Sequence, residues 1–146
     1  MTELAQILAD NKSPVVTIKP DEMVSNAVKV MADKNIGALL VMDKDKLVGI
    51  LSERDFVRKL LATGKNPKDT PVSAIMTAHP YCADTEKSIE ACIAIMSEHR
   101  FRHLPVLDKN NKLLGMVSMG DLVRVMIEDQ EFKIEQFERY VSSGLY

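Results

Sequence analysis

The stretch KLVGILSERDFVR at residues 46–58 recurs as KLLGMVSMGDLVR at residues 112–124, 66 positions later. Seven of the thirteen positions are identical, and four others exchange one apolar residue for another. The two exceptions, Glu53/Met119 and Arg54/Gly120, lie between the shared Ser and the shared Asp. An internal repeat of this kind indicates two copies of one supersecondary unit. The unrepeated pair indicates two related sites with different properties.

Each copy is predicted to form a short strand that leads into a helix. The apolar run at residues 47–51 is too short for a buried helix and predicts a strand buried on both faces. Ser52 follows at the expected N-cap, with Asp55 in the first turn, and Gly64 suits the end of the helix. The predicted apolar face comprises Phe56, Val57, Leu60 and Leu61 in the first copy, and Leu122, Val123, Met126 and Ile127 in the second.

The flanking segments extend the repeat to two complete units. At an offset of 65, the helical stripe Val24, Ala27, Val28 and Met31 recurs as Ile89, Cys92, Ile93 and Met96. Each unit therefore reads strand, helix, strand, strand, helix, and we expect the two sheets to pack around a shared core. The predicted division is an N-terminal helical segment at 1–11, repeats at 12–64 and 72–128 joined by a linker at 65–71, and a C-terminal helical extension at 129–146.

Composition limits the classes of protein to consider. A net charge of −2 over 146 residues argues against general nucleic-acid binding. The N-terminal residues do not resemble a secretory signal, and the longest apolar run, residues 36–42, is too short to span a bilayer. The two cysteines and three histidines match no metal-binding spacing. We therefore expect a soluble cytoplasmic protein that requires no metal and associates with no membrane.

Two motifs resemble a known family. VMD at 41–43 with LVGILSERD at 47–55, and RHLPVLD at 102–108 with GMVSMGD at 115–121, are similar to the cystathionine-β-synthase (CBS) domain. The resemblance covers about residues 12–128, and two such domains in tandem resemble a stand-alone CBS pair, or Bateman module. It implies an α/β (α+β) fold of two β-α-β-β-α repeats with pseudo-two-fold symmetry, plus the helical extension. It also implies that the pattern Gly-x-x-Ser/Thr-x-x-Asp lines clefts that hold an adenine nucleotide.

The motif carboxylates are predicted to contact ribose. A carboxylate at the start of a helix can accept from both ribose hydroxyls, which favours Asp55 and Asp121 for this role. Ser52 and Ser118, beside free helix amides, suit ribose or the α-phosphate. The alternative is a capping box, in which Ser and Asp only satisfy backbone donors. Because the pattern occurs twice, we favour binding, and a capping role can coexist with it.

Basic residues differ between the two copies. Arg100, Arg102 and His103 precede the second hairpin, whereas the first copy alone carries Arg54 in its motif. Arg suits bidentate phosphate contacts, and a protonated His adds charge. We therefore predict phosphate roles for Arg54 at one site and for Arg102 and His103, with Arg100 beside them, at the other. The alternative is a solvated basic edge.

The resemblance also places the adenine slots, although each residue would equally suit ordinary core or loop. The slots lie before each repeat's first helix and at its hairpin entrance: Thr17, Ile18, Lys19, Pro20 and Ala38 for one site, and Pro80, Tyr81, Cys82 and Phe101 for the other.

The resulting prediction is a regulatory module without enzymatic activity. It would bind AMP, ADP or ATP, with NAD and S-adenosylmethionine as further candidates, and would signal to a regulated protein partner. The alternative is a structural or interaction module whose clefts stay empty. A homodimer is expected, because the resemblance implies association as a flat two-pair assembly. In addition, the last helix is predicted to continue to Ser142 with Ile134, Phe137 and Val141 along one stripe. That stripe either folds back on its own domain or packs on a second copy.

Overall fold

The structure, a computed structural model, describes residues 2–11 and 15–144. Helix α1 (Leu4–Asp10) precedes the first repeat, which comprises β1 (Thr17–Ile18), α2 (Val24–Lys34), β2 (Ala38–Asp43), β3 (Lys46–Ser52) and helix α3. Helix α3 begins as α-helical Glu53–Asp55 and continues as the π-helix Phe56–Leu61. A 3₁₀ turn (Val72–Ala74) and β4 (Thr77–Ala78) lead to the second repeat, β5 (Ala83–Asp84), α4 (Ile89–His99), β6 (His103–Leu107), β7 (Leu113–Ser118) and α5 (Met119–Ser142). The predicted α/β (α+β) fold of tandem β-α-β-β-α repeats with a C-terminal helix is confirmed. Some of the predicted segment boundaries fall outside the described residues, which exclude residue 1, residues 12–14 and residues 145–146.

The two sheets repeat one strand arrangement. In the first repeat, β1 pairs parallel with β2, and β2 and β3 form an antiparallel hairpin, which turns at left-handed Lys44. In the second, β5 pairs parallel with β6, and β6 and β7 form the equivalent hairpin. The prediction that β3 is buried on both faces was wrong. Only Gly49 and Leu51 are buried along it, as expected for an antiparallel sheet with one packed face.

The buried apolar side chains form two clusters instead of the single shared core that we predicted. The first cluster contains Ile18, Val24, Ala27, Met31, Leu39, Val41, Leu51, Leu60, Val72 and Ile75. The second contains Leu4, Ile7, Ala83, Ile89, Cys92, Met96, Leu104, Val106, Val117, Leu122 and Val125. Neither cluster is built from one repeat alone, and this explains how two small cores can form.

Each core is completed by a segment that precedes the other repeat. Val72 and Ile75, which lead into the second repeat, are fully buried in the first core, and β4 pairs with β3 of the first sheet. Leu4 and Ile7 of α1, which lead into the first repeat, are buried in the second core, where α1 contacts β7. The two repeats therefore exchange segments reciprocally, which increases the apolar surface that each of them buries.

The shared glycine of the motif lies where each exchanged segment crosses the sheet. A Cβ on Gly49 would lie 2.5 Å from Sδ of Met76 and 3.0 Å from the carbonyl oxygen of Thr77. A Cβ on Gly115 would lie 2.8 Å from Cδ2 of Leu8. All three distances are shorter than ordinary van der Waals contact. At position 49 a Cβ would press on backbone, so glycine matters most there, whereas at position 115 it would meet the flexible end of Leu8.

The predicted apolar faces of α3 and α5 were only partly right. Leu60 and Leu122 are buried, but Val57, Leu61, Val123 and Ile127 are 60%, 68%, 40% and 53% exposed. In α5 the buried apolar positions are Leu122 and Val125, and in α3 the buried apolar position is Leu60. The exposed positions are equivalent in the two repeats, so both helices present apolar side chains to solvent.

Helix α5 continues to Ser142, as predicted. Just before the exposed part of α5 begins, the amide and the hydroxyl of Thr2 donate hydrogen bonds to the carboxylate of Asp129, over 3.1 Å and 2.8 Å. Every described side chain from residue 130 onward is exposed, so the alternative in which the tail folds back on its own domain was wrong. Across residues 2–11 and 15–144, the structure contains no helix with the length and apolar character needed to cross a bilayer.

Candidate functional site

A cleft of about 1150 Å³ lies between the repeats and is lined mainly by three segments. The first is the start of α3 in repeat one, with Ser52, Arg54 and Asp55. The second is the chain around β4, residues 77–81. The third is the junction between α4 and β6 in repeat two, residues 96–103. One cleft is therefore built from both repeats, because the exchanged segment carries residues 77–81 across to β3.

The first motif forms the capping box that we considered as an alternative. The amide of Ser52 donates to Oδ2 of Asp55 over 2.9 Å, and its hydroxyl lies 3.2 Å from the same oxygen. Nζ of Lys59 lies 3.1 Å from Oδ1 of Asp55. Asp55 is buried but still lines the cleft, and a carboxylate has about four acceptor sites. Capping therefore leaves acceptor capacity for a ligand hydroxyl.

The second motif is capped in the same way, but its Ser118 and Asp121 do not line this cleft, although Met119 between them does. The amide of Ser118 donates to Oδ2 of Asp121 over 3.0 Å, and the amide of Asp121 donates to the Ser118 hydroxyl over 3.1 Å. Nη2 of Arg124 lies 3.4 Å from Oδ1 of Asp121. The structure therefore separates the two predicted ribose carboxylates into different surroundings.

Cations that we assigned to separate sites converge on this cleft. Nη1 of Arg54 donates to the carbonyl oxygen of Arg100 over 2.7 Å, across the gap between the repeats. Arg100 is the left-handed C-cap residue of α4, and Arg102 and His103 line the same cleft. The prediction that Arg54 and the Arg102/His103 pair serve different clefts was wrong in this respect. Segment exchange is the reason, because it brings the start of α3 opposite the second hairpin entrance.

Sequence reasoning missed two further cations in the cleft, Arg58 and Lys59. Signals for both were present. Arg58 is one of the seven identical positions of the repeated stretch, and Lys59 lies four residues after Asp55, the spacing of a helical ion pair.

His103 lies at the contact between the repeats. A Cβ on Gly37 would be 3.7 Å from Cε1 of His103 and 3.6 Å from Oε1 of Glu53, so glycine leaves room for both side chains. Burial lowers the pKa of His103 and outweighs the carboxylates of Asp121 and Glu53, which raise it, while Arg102 lowers it further. The imidazole is therefore neutral near pH 7, and it contributes a cationic charge only when a ligand or a lower pH protonates it.

Three stacked rings form an apolar wall of the cleft. The rings of Tyr81 and His99 have centroids 4.3 Å apart at an interplanar angle of 23°, and those of Tyr81 and Phe101 are 5.7 Å apart at 9°. Tyr81 and Phe101 were predicted with Pro80, which also lines the cleft, whereas His99 was missed because nothing in its spacing marked it. Cys82 lies outside the lining. Its thiol is 3.4 Å from the carbonyl oxygen of Pro80, and burial raises its pKa.

The other predicted adenine slot is not part of this cleft. Ile18 and Ala38 are buried, Pro20 is partly exposed, and Thr17 and Lys19 are exposed. By the 65-residue offset, residues 77–80 correspond to 12–15, and residues 12–14 are outside the described part of the chain. Within the described ranges, no group of three His, Cys, Asp or Glu side chains could hold a metal ion.

Comparison with known proteins matches this architecture to one family. The family model of the CBS domain matches the chain twice, at residues 5–62 and 72–128. The chain belongs to the CBS domain family. A protein with CBS domains from Burkholderia ambifaria is 45% identical, with a TM-score of 0.83 over 88% of this chain and 96% of that one. The mitochondrial CBS domain-containing protein CBSX3 of Arabidopsis thaliana is 34% identical over 85% of this chain, which spans 62% of that relative.

Two similar CBS structures contain adenine-bearing ligands. CBSX2, solved in complex with AMP, is 27% identical with a TM-score of 0.68, over 82% of this chain and 92% of that one. A CBS domain pair solved with 5′-methylthioadenosine and S-adenosyl-L-methionine is 26% identical with a TM-score of 0.76, over 88% of this chain and 98% of that one. The prediction of a tandem CBS pair is confirmed.

Proposed function

We propose that this CBS pair is a regulatory module that binds an adenine nucleotide in the cleft between its repeats and signals to a protein partner. The observation that carries the proposal is the convergence of three kinds of group in one cleft. These are a helix-start carboxylate at Asp55, cationic side chains from both repeats, and the stack of aromatic rings. The AMP-bound relative supports the same class of ligand.

Each part of a nucleotide has matching chemistry in the cleft. Adenine stacks on the ring of Tyr81, which is 53% exposed. The ribose hydroxyls donate to Asp55, and the phosphates accept from Arg54 and Arg102. Ser52 remains beside the ribose, as its place at the start of α3 requires.

The charge of the cleft favours anionic adenine ligands. In the described part of the chain its lining carries the basic residues Arg54, Arg58, Lys59, Arg100 and Arg102 against the acidic residues Glu53 and Asp55. Like charges near one another are unfavourable, and a phosphate relieves that repulsion. We therefore expect AMP, ADP, ATP and NAD to bind more tightly than S-adenosylmethionine, whose sulfonium is cationic.

Binding would act on the contact between the repeats. Arg54 now donates to the carbonyl of Arg100, and a phosphate would compete for the same guanidinium. The ligand therefore stabilises an arrangement in which Arg54 turns from the second repeat towards the ligand. It shifts the packing only to the extent that it binds the two arrangements with different affinity.

A thermal-shift and calorimetry panel of AMP, ADP, ATP, NAD, S-adenosylmethionine and adenosine tests the proposal. A ligand at 100 times its dissociation constant adds about 2.7 kcal/mol to the free energy of unfolding. We expect stabilisation by the phosphate-bearing ligands, lost in Tyr81→Ala and retained in Tyr81→Phe. If none of the six ligands shifts the unfolding temperature, the nucleotide proposal fails.

The exposed apolar residues Val57, Leu61, Val123 and Ile127 support a second candidate, a module that acts only by docking on other chains. The same side chains support a homodimer, which we include in the proposal. A two-fold axis would pack this apolar patch of one copy against the same patch of the other, so both would be buried. We also propose that the protein acts without catalysis of its own, and in the cytoplasm, where nucleotide levels report the energy state.

A further inference from the structure

Helix α5 carries an exposed apolar seam that runs along most of its length. Val123, Ile127, Ile134, Phe137 and Val141 are between 37% and 67% exposed. Together with exposed Gln130 they follow one another at intervals of four, three, four, three and four residues. This 3.5-residue repeat is the pattern of helices that wind around each other. We call these six residues the α5 seam.

The residue types in the seam favour two parallel strands. In heptad notation the a positions are Ile127, Ile134 and Val141, all β-branched, and β-branched residues at a favour parallel dimers. Gln130 occupies a d position. In a parallel pair without stagger, Gln130 faces its own copy and the two amides can hydrogen-bond, whereas a shifted register would bury the amide against apolar side chains.

The flanking charges also distinguish the orientations. Lys133 is at a g position, and Glu131 and Glu138 are at e positions. In a parallel pair, g of one helix faces the following e of the other, so Lys133 meets Glu138 twice. In an antiparallel pair, e faces e, and glutamates would face glutamates along the tail. The charge pattern therefore favours the parallel arrangement.

We propose that α5 of two copies pair through the α5 seam as a parallel, in-register, two-stranded coiled coil. This inference rests on the proposed homodimer and adds which residues face each other across it. Three heptads alone are marginal in water. The tail, however, continues a helix that is anchored to the body through buried Leu122 and Val125, so its first turns are already formed.

Disulfide trapping in the full-length chain tests the pairing. In a Cys82→Ser background, Gln130→Cys and Phe137→Cys each place a thiol at a d position, and Phe132→Cys places one on the outer surface as a control. Native Cys92 is fully buried and stays in place, and the background chain without added thiols is oxidised in parallel. We expect each d variant to form a disulfide with its own copy, at least 10-fold faster than Phe132→Cys. An antiparallel pair places d positions opposite a positions, so disulfides that form only between Gln130→Cys and Ile134→Cys in a mixture, and not within either d variant alone, would overturn the proposal.

Charge reversal supplies a second readout. Lys133→Glu or Glu138→Lys should each raise the dimer dissociation constant by about 10-fold, and the double variant should restore it, because the two side chains face each other and their effects are coupled instead of additive. If the double variant does not restore the dimer dissociation constant, the parallel register is contradicted.

Light scattering distinguishes a failure of the coiled coil from a failure of the homodimer. A dimer that does not trap at the seam retains the homodimer but refutes the coiled coil, whereas a monomer at high micromolar concentration refutes both. Neither result alters the nucleotide titrations.

Discussion

Arg54 and Arg100 join the two repeats at the cleft through one hydrogen bond, from the guanidinium of the first to the carbonyl oxygen of the second over 2.7 Å. Their positions in the repeats differ. Arg54 is at the start of α3, and its counterpart in the second repeat is Gly120, so the contact has no equivalent on the other side of the molecule. The pseudo-two-fold symmetry is therefore broken where charge matters most for an anionic ligand.

Arg54→Ala should weaken binding of AMP, ADP or ATP by about 10-fold or more, since a hydrogen bond to a charged group contributes roughly 1.5–3 kcal/mol. Adenosine, which lacks phosphate, should lose less than about 3-fold. Isothermal titration calorimetry measures both. Arg139→Ala, which breaks an exposed ion pair with Glu135 on the tail, is the matched control and should change neither. Equal losses for adenosine and its phosphates would indicate a folding defect instead of a phosphate contact.

Asp55→Ala should weaken nucleotide binding by about 10-fold or more through the lost ribose acceptor. Asp121→Ala removes the equivalent cap without touching the cleft. Both substitutions should lower the free energy of unfolding by about 1 kcal/mol, because each removes a helix-capping acceptor. Calorimetry of the two variants, with unfolding curves for each, separates the roles. If Asp121→Ala abolishes half of the binding stoichiometry, a second site beside Asp121 is occupied as well.

His103 should make the protein less stable in mild acid. Burial lowers its pKa in the folded chain, so between that value and the ordinary 6.5 of the unfolded chain the unfolded state binds more protons. The free energy of unfolding is therefore highest above pH 6.5 and decreases as the pH falls towards the folded pKa. Denaturant titrations of wild type and His103→Gln at pH 7.5 and 5.0 measure the difference, which should be smaller in the variant. His79→Gln, at an exposed position, serves as control and should behave as wild type.

Gly49→Ala should destabilise the fold by about 1–3 kcal/mol, because the new Cβ would overlap Met76 and the Thr77 backbone. Gly115→Ala should cost less, since its Cβ meets only the end of the flexible Leu8 side chain. Gly120→Ala is the control. A Cβ there has no neighbour closer than 3.8 Å, so this helical substitution should be neutral or stabilising. Urea unfolding measures all three, and an unchanged Gly49→Ala would contradict the close packing.

The sequence predicted the repeated elements well, because periodicity and capping residues act locally. Ser52 and Asp55 start α3, and Ser142 ends α5, where the sequence placed them. The sequence did not predict the contacts between segments that are distant along the chain. Nothing local reveals that Val72 enters the first core or that Arg54 faces Arg100. The partners of these residues are set by segment exchange, which is a property of the whole chain. The stacking of His99 on Tyr81 was missed because nothing in the spacing of His99 marked it.

The exchanged segments determine what a cut in the linker can do. A protease that cleaves at residues 65–69 would separate the repeats covalently, yet α1 would still lie in the second core and Val72 and Ile75 in the first. Each fragment would contribute a buried segment to the core of the other, so the two fragments would remain associated. The nicked protein should therefore elute as one particle of unchanged size and melt in one step, and its halves should separate only in denaturant.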